Sequence, residues 1–502
     1  MRQVGALDLA SLERFQTELI EAGFESLPDD PTAWVGPIAE PLKELTTAST
    51  MRICFRDGWP FQHPRLFVEG LDQRHVNASG EVCLWQSGAS SGEWLVLSDY
   101  TTRIEEWVRR AKEGFHPEDF ALDAHLYFES VKPDVVAAVE LGKLGLAGPP
   151  GKTVVVSGSW DANKHVLKVS SNRNGEIEGR CYWVGHVPVP PHGFEQVRSL
   201  LTVGQARNFD RRYRGVAERG ELQMFLVAWQ RELGREVLVL LAGKQDGEVV
   251  AESIEVAPTD VEYLKLRAGP DVNVLGGKHV AIFGLGAVGS NLALRLAEAG
   301  VTRLTLVDDA RLRPGDIVRH AAGSWAVGST KVGAVSAMLS TRAPWTEVVT
   351  VSESSWDPKR IEALLAGADL TVEATGAASL ANMLSVLCER KIAPLVSAAL
   401  YRGGAVARVR RQALADDVPM TERTGGSRYP PIPPADEPLI FEPGCSSPVN
   451  NASPVAVAAI AALTAQVAID FLAGRDAYGD EVIEVYRPLE VPPFDRIGRI
   501  GA

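Results

Sequence analysis

The stretch "KHVAIFGLGAVGSNLALRLAEAGVTRLTLVDD", residues 278–309, constrains the fold of this chain more than any other. An apolar run, a glycine turn, a helical pattern and a second apolar run follow one another with short connections. Such a unit demands a parallel sheet with helices packed on its faces. Gly284, Gly286 and Gly289 form G-x-G-x-x-G between the strand and the helix. That spacing brings backbone N–H groups and the positive helix end against a phosphate. Asp308 ends the next strand, roughly 20 residues after Gly289, where a carboxylate can accept hydrogen bonds from ribose hydroxyls. Further strand patterns follow in "EVVTVSES", "LTVEATG" and "APLVSAALYRGG", so the domain should be doubly wound. These residues alone suit a nicotinamide dinucleotide as well as ATP.

The chain has 502 residues, which points to about three domains. Its 45% hydrophobic and 23% charged composition is that of a packed protein. A net charge of -13 argues against neutralising nucleic-acid phosphates as the main task, so no nucleic-acid partner is expected. The basic run from Arg207 to Arg219 reads as a solvated helix. Cys54, Cys83, Cys181, Cys388 and Cys445 are scattered with no Cys-x-x-Cys pair. Neither a zinc clip nor a disulfide framework is visible, and a reducing cytoplasm is the expected location. The acidic first thirty residues do not read as a secretory signal. The uncharged stretch from Ser446 to Ile469 contains Pro454 and many alanines, so a buried core helix is expected there and no membrane partner.

Three regions differ in character. Residues 1–135 open with an amphipathic segment (Leu9, Leu12, Phe15, Leu19, Ile20), continue with strand patterns at Ile53 to Phe55 and Leu66 to Val68, and return to helix from Thr102 to Lys112. This is an α+β unit. Residues 136–270, after the linker-like "LGLAGPPGK", alternate strands and polar turns and read as a mixed α/β linker domain with Cys181 in a strand core. Residues 271–502 hold the doubly wound domain, with Cys388 on the buried face of a helix.

Downstream of Asp308, "VDDARLRPGDIVRHAAGSWAVGSTKVGA" resembles the ubiquitin-activating and bacterial ThiF-type adenylyltransferases. Their pattern is a strand-ending Asp, then Asn-Leu-x-Arg-Gln, then Gly-x-x-Lys. This chain has Asp308, then Asp316-Ile317-Val318-Arg319-His320, then Gly328-Ser329-Thr330-Lys331. The resemblance covers roughly Gly277 to Leu489. It implies a Rossmann-like adenylation domain that uses ATP and Mg2+ and forms a homodimer. Arg319 and Lys331 would offset the charge of the triphosphate while a carboxylate attacks the α-phosphate, with pyrophosphate departing. Asp316 replaces the family's Asn. In the family's Asp-x-Thr-Asp-Asn strand end the later Asp helps hold magnesium; here Gly376 takes that place and leaves Glu373 as the nearest acid.

Cys445, in "FEPGCSSPVNNASPVAVAAIAALTAQ", matches the loop cysteine that takes the activated acyl group as a thioester in family members. The amino-terminal region resembles ubiquitin-conjugating enzymes. These carry Tyr-Pro-Phe-x-x-Pro-Pro, then His-Pro-Asn, then Gly-x-Ile-Cys-Leu, then a Trp. Here Trp59-Pro60-Phe61, Pro64, His75-Val76-Asn77, Gly80-Glu81-Val82-Cys83-Leu84 and Trp94 stand in that order. The resemblance implies that Cys83 carries a thioester and that Asn77 hydrogen-bonds the oxyanion formed when lysine attacks. Val76 replaces proline, and the spacing from Asn77 to Cys83 is short.

Both regions on one chain resemble the fused activating and conjugating enzymes of bacterial antiphage CBASS operons, which join the C-terminus of a cGAS-like nucleotidyltransferase to targets. The implied activity is adenylation of a protein C-terminal carboxylate, with a cGAS-like nucleotidyltransferase or a ubiquitin-like protein as partner. Capture on Cys445, transfer to Cys83 and conjugation to a lysine would follow. A second reading keeps the amino-terminal fold as a binding module only, beside a domain that activates a sulfur carrier. A third, a nicotinamide-dependent oxidoreductase, rests on the glycines and Asp308.

Overall fold

The computed structural model describes residues 4–85, 93–115, 122–128, 131–187, 190–191, 193–231, 234–353, 357–434 and 450–500. The chain divides into two compact units, Met1–Asp260 and Val261–Ala502. The first unit therefore unites what the sequence divides into two domains, and it contains two sheets with separate cores.

The first sheet has five antiparallel strands in sequential order: β1 (Glu25–Leu27), β2 (Asp30–Pro37), β3 (Thr50–Cys54), β4 (Arg65–Phe67) and β5 (Glu81–Val82). Helices α1 (Leu9–Glu21) and α2 (Leu97–Glu113) accompany it. Asp8 caps α1 by accepting the Ser11 N–H, satisfying an orphan donor of the first turn. The helix buries Leu12, Phe15 and Leu19, a stripe at i, i+3, i+7, whereas Leu9 and Ile20 of the expected apolar set face solvent. Phe15, Phe55, Trp59 and Tyr100 pack edge to face at its centre.

The second sheet is a closed barrel of seven strands. These are β6 (Val131–Val139), β7 (Thr153–Trp160), β8 (Val166–Ser170), β9 (Ile177–His186), β10 (Gln223–Arg231), β11 (Gly234–Gln245) and β12 (Glu248–Pro258), in the order β10-β11-β12-β6-β8-β7-β9. Closure removes the free edges that so many strands would otherwise expose. Along β10 the side chains alternate. Leu226 and Ala228 fill the interior, while Phe225, Val227 and Trp229 join a second cluster with Phe209 and Val216 of α4 (Val203–Arg219) and Val197 of α3 (Phe194–Leu200). The basic run is the outer part of α4, with Arg207, Arg211 and Arg214 exposed. Cys181 is buried in β9, as its apolar neighbours imply.

One expectation needs correction here. "LGLAGPPGK" is no linker, since Leu144 and Leu146 are buried in the barrel core together with Leu141. The Leu141 and Gly142 N–H groups donate to the Asp260 carboxylate at 2.8 and 2.6 Å, which fixes the segment.

The second unit begins with a single turn, α5 (Val261–Leu264), and is built on an eight-stranded sheet. In chain order its elements are β13 (His279–Phe283), α6 (Ala287–Glu298), β14 (Arg303–Val307), α7 (Lys331–Arg342), β15 (Glu347–Val351), α8 (Pro358–Leu365), β16 (Leu370–Glu373), α9 (Ala378–Lys391), β17 (Leu395–Tyr401), β18 (Val406–Gln412), α10 (Pro454–Leu472), β19 (Glu481–Val485) and β20 (Gly498–Ile500). The order is β15-β14-β13-β16-β17-β18-β19-β20, parallel from β15 to β17 and antiparallel beyond. Buried strand residues divide between two clusters. Val280 and Ile282 pack with α6, α7 and α10, and Ala281 and Phe283 with α8 and α9. The sheet is therefore covered on both faces. Helix α10 is apolar and long enough to span a membrane; here Ile460, Ala461, Val467 and Ala468 are buried in the core.

Candidate functional site

The strand order reverses between β14 and β16 around β13, and ligands of open parallel sheets bind beyond the strand ends at such a point. A cavity of about 360 Å³ lies there, within the size range of small-molecule sites. Gly284 and Gly286 floor it, Asp308, Asp309 and Lys331 line its polar side, and Val351, Ile361, Leu364 and Leu380 form an apolar wall. The three glycines have distinct reasons to be glycine. Gly284 has φ +91°, and a Cβ there would lie 2.6 Å from Thr375 Cγ2. A Cβ on Gly289 would sit 1.8 Å from the Gly284 carbonyl oxygen, so only glycine lets the helix approach the strand end. Gly286 meets nothing within 4 Å and faces the cavity. No side chain caps α6, so its first N–H groups remain for an anion.

Asp308 sits at the rim but is also structural. Its carboxylate accepts the Leu285 N–H at 2.7 Å and the Ala310 N–H at 2.8 Å, which ties the glycine loop to the turn after β14. Each oxygen keeps a lone pair for a ribose hydroxyl. Lys331 reaches the cavity because Arg311 and Thr330 bridge and the Lys331 N–H donates to the Ala310 carbonyl at 3.0 Å. Arg319 is placed elsewhere: it is absent from the described cavity lining, and its Nη1 donates to the carbonyl oxygens of Asn450 and Ala452. His320, in place of the family's glutamine, accepts the Ala322 N–H on Nδ1 and donates from Nε2 to the Leu285 carbonyl. Burial shifts its imidazole below its ordinary value, in the same direction as the accepting Nδ1.

Glu373 is not free for a metal. It is buried, and its carboxylate accepts from the Thr375 N–H and hydroxyl, the Gly376 N–H and the Ser397 hydroxyl. Among the described residues no group of three His, Cys, Asp or Glu side chains could cage a metal ion. Asp309, exposed on the cavity, is a carboxylate that would meet a magnesium ion carried in on a triphosphate. Glu353 and Arg360, which line the same cavity next to Ile361, form an ion pair. Neither Asp309 nor this pair stands out in the sequence, because both depend on how loops after different strands meet.

The second candidate centre is the hairpin that carries Cys83. The Asn77 N–H donates to the Glu81 carbonyl at 3.1 Å and the Cys83 N–H to the His75 carbonyl at 2.8 Å. The Asn77 side-chain oxygen accepts from the Ser79 N–H and hydroxyl and the Glu81 N–H, and Nδ2 donates to the Glu81 carboxylate at 3.4 Å. The short spacing seen in the sequence is thus a tight turn organised by Asn77. His75 packs its ring on Phe115 at 4.3 Å, in keeping with a structural role. Cys83 is half-buried, and burial together with the Glu81 carboxylate pushes its thiol up, against the pull of Arg103. The motif tryptophan Trp94 donates to the Pro60 carbonyl at 2.7 Å and packs on Trp85 and His63. Trp85 and Arg103 are the neighbours of Cys83 that motif matching overlooks, and Glu81 enters the motif only at its variable position. Cys445 lies outside the described residues, whereas Cys54 is half-buried and Cys388 buried, with burial raising both thiols.

The second unit is thus a doubly wound nucleotide-site domain, with phosphate-seeking glycines and a lysine opposite an apolar wall. Residues 265–489 match the model of the ThiF family, and this part of the chain is a ThiF-family adenylyltransferase domain. The chain is 29% identical over 229 residues to y4qC of Sinorhizobium fredii, covering 42% of this chain and 39% of that protein. It is 27% identical over 483 residues to y4oA of the same organism, covering 82% and 81%. It is 35% identical over 136 residues to the ATP-dependent ubiquitin transferase-like protein Cap2 of Pseudomonas aeruginosa, covering 26% and 24%. Of solved structures, Escherichia coli MccB with MccA-N7isoASN is similar at 17% identity and a TM-score of 0.36, over 46% of this chain and 65% of that one.

Proposed function

We propose that the chain uses ATP to adenylate the C-terminal carboxylate of a partner protein and then conjugates that partner to a lysine amine. The observation that carries this reading is the meeting of Lys331 and the open face of Gly286 on one cavity that the apolar Ile361, Leu364 and Leu380 also line. A base fits the apolar wall, and phosphates fit between the loop N–H groups and the lysine. A carboxylate oxygen attacks the α-phosphorus, and the bond to the leaving pyrophosphate breaks. A cysteine thiolate, assigned to Cys445, displaces AMP to give a thioester. Cys83 takes the acyl group by thiol exchange, and a lysine amine displaces Cys83 to leave an amide. Magnesium, carried with the nucleotide beside Asp309, would offset phosphate charge. Arg319 would join Lys331 on the phosphates once its carbonyl partners release it.

The likeness to Cap2, whose name is that of a ubiquitin transferase-like protein, supports a protein as the activated partner. By resemblance to the fused bacterial enzymes, that partner is a cGAS-like nucleotidyltransferase or a ubiquitin-like protein. The amino-terminal region is then a ubiquitin-conjugating-like fold, the carboxy-terminal one Rossmann-like. The setting is cytoplasmic antiphage defence of the CBASS type, with a homodimer formed through the adenylation domain. Tethering both centres on one chain raises the effective concentration of each for the other.

Intact-mass spectrometry without reductant tests the reading, after incubation with ATP, magnesium and the protein encoded beside this gene. A thiol-labile adduct on Cys445 and on Cys83 is expected. Cys83→Ala should keep the Cys445 adduct and abolish conjugation; conjugation that persists in this variant would sink the relay. A second reading, a sulfur-carrier adenylyltransferase with an amino-terminal binding module, is favoured by the commitment of the Asn77 side chain to its own turn. An adduct on Cys445 alone would support it.

A further inference from the structure

We propose that Arg103 is a positioning residue for Cys83, fixing the peptide that follows the thiol and facing its thiolate with a cation. The inference rests on the reading of Cys83 as an acyl carrier, and deepens it.

The geometry is built from three elements. On the amino side of Cys83, its N–H is held by the His75 carbonyl at 2.8 Å. On the carboxyl side, Arg103 reaches from α2 and donates from Nε to the Leu84 carbonyl at 2.7 Å. The flanking side chains of Val82 and Leu84 are both buried, which anchors the segment on either side of the thiol. The guanidinium is held in turn. Its Nη1 donates to Glu106 at 2.6 Å, and the other Glu106 oxygen accepts from Arg110 at 2.6 Å. Glu106 thus bridges Arg103 and Arg110 and fixes where the Arg103 guanidinium stands. The Arg103 side chain is only 25% exposed, so its charge is less screened than on an open surface. Lysine could not reproduce this, since a single ammonium cannot present Nε and Nη1 to two fixed acceptors in one plane.

Among the described residues the charged groups that act on the thiol are Glu81, in β5 just before it, and Arg103. Behind Glu81 stands Arg65 at 3.2 Å, and His63 lies against Trp85, held below its usual range by burial. Cys83 needs a thiolate twice. It attacks the donor thioester as a thiolate, forming a new C–S bond as the donor sulfur leaves with its electron pair. It departs as a thiolate when the amine nitrogen takes the acyl carbon and the amine gives up its proton to solvent. Burial and Glu81 oppose that charge at both moments, and Arg103 is the cation that supports it.

The test needs neither ATP nor a partner. Alkylation of Cys83 in the full chain by iodoacetamide is followed from pH 6 to 10, with the Cys83 peptide quantified by mass spectrometry. Arg103→Met should move the midpoint upward and slow alkylation near neutral pH by about three- to tenfold, because only the thiolate reacts. Glu81→Gln should move it downward. An unchanged midpoint in Arg103→Met, with a folded far-ultraviolet spectrum, would reduce Arg103 to packing and overturn the proposal. Should that variant not fold, Arg103→Gln, which keeps a donor for Leu84 without the charge, should show the same upward shift, and its absence would overturn the proposal equally. A wild-type chain that never forms a thioester on Cys83 would instead defeat the relay, a result read separately from alkylation.

Discussion

The Ala78 N–H donates to the Leu126 carbonyl at 3.1 Å, tying the Cys83 hairpin to a turn that packs with the outer side chains of the barrel and with α4. That turn, Ala124–Tyr127, is anchored by Ser253 of β12, whose hydroxyl donates to the His125 carbonyl at 3.1 Å. Ala124 and the adjoining Phe128 are buried with barrel and α4 side chains. Tyr127 is buried too, its hydroxyl donating to the Arg74 carbonyl beside the hairpin. The barrel therefore braces the hairpin rather than merely spacing the ends of the chain.

Tyr127→Phe removes that donor and leaves the Arg74 carbonyl side of the brace short of a hydrogen bond. The expected cost is about 1 kcal/mol. Hydrogen exchange in peptides spanning residues 74–85 should quicken while the barrel strands keep their protection. Unchanged exchange there would show that the hairpin holds its shape without the brace.

Gly289→Ala and Gly286→Ala should part company. At Gly289 the new methyl would strike the Gly284 carbonyl, a backbone atom that cannot swing aside. Overpacking of this kind costs about 1–3 kcal/mol or more, so the melting temperature should fall and ATP–pyrophosphate exchange should vanish. At Gly286 the methyl meets open space, so melting should hold while ATP binding weakens. Equal melting losses in the two variants would contradict this division.

Lys331→Met should depress ATP–pyrophosphate exchange by about a hundredfold without changing the melting temperature, because the ammonium faces the cavity. Arg319→Met should also lower the melting temperature, since its guanidinium holds the Asn450 and Ala452 carbonyls. Loss of stability in Lys331→Met would mean that its main work is structural.

How far these residues could be read in advance depends on how local their causes are. The strand–turn–helix around Gly284 to Gly289 was legible because steric need and phosphate affinity act within a dozen neighbouring residues. The placement of Cys83 just after a hairpin that Asn77 organises was legible from motif order. Arg103 was not, since its hydrogen bond to Leu84 joins a helix to a loop through tertiary packing alone. The barrel escaped for a similar reason. Its strands alternate as any half-buried strands do, and closure by parallel pairing of β9 with β10 and β12 with β6 leaves no mark on spacing. "LGLAGPPGK" misled because proline and glycine mark turns, while Leu144 and Leu146 are called inward by a core assembled from distant strands.

The second unit should carry an acid-sensitive lock at Asp417. Its carboxylate accepts both Nε and Nη2 of Arg411 at 2.9 Å, and the Ala413 and Leu414 N–H groups besides. Both side chains are nearly fully buried. Burial pushes the Asp417 carboxyl up, but the guanidinium and the two N–H groups outweigh it and hold the group below the usual carboxylate range. A group depressed in the folded state adds stability above its unfolded value, about 3.9, and that contribution drains away as pH falls through the folded value. The melting temperature of the wild-type chain should therefore drop as pH is lowered from about 5 toward 2. Asp417→Asn should lose about 1.5–3 kcal/mol at neutral pH, because Arg411 loses its doubly bonded counter-charge while keeping the exposed Asp476 at 2.8 Å, and should show a shallower fall in acid. Thermal unfolding from pH 7 to pH 2 measures both effects, and an equal acid slope in the two chains would place the sensitivity elsewhere.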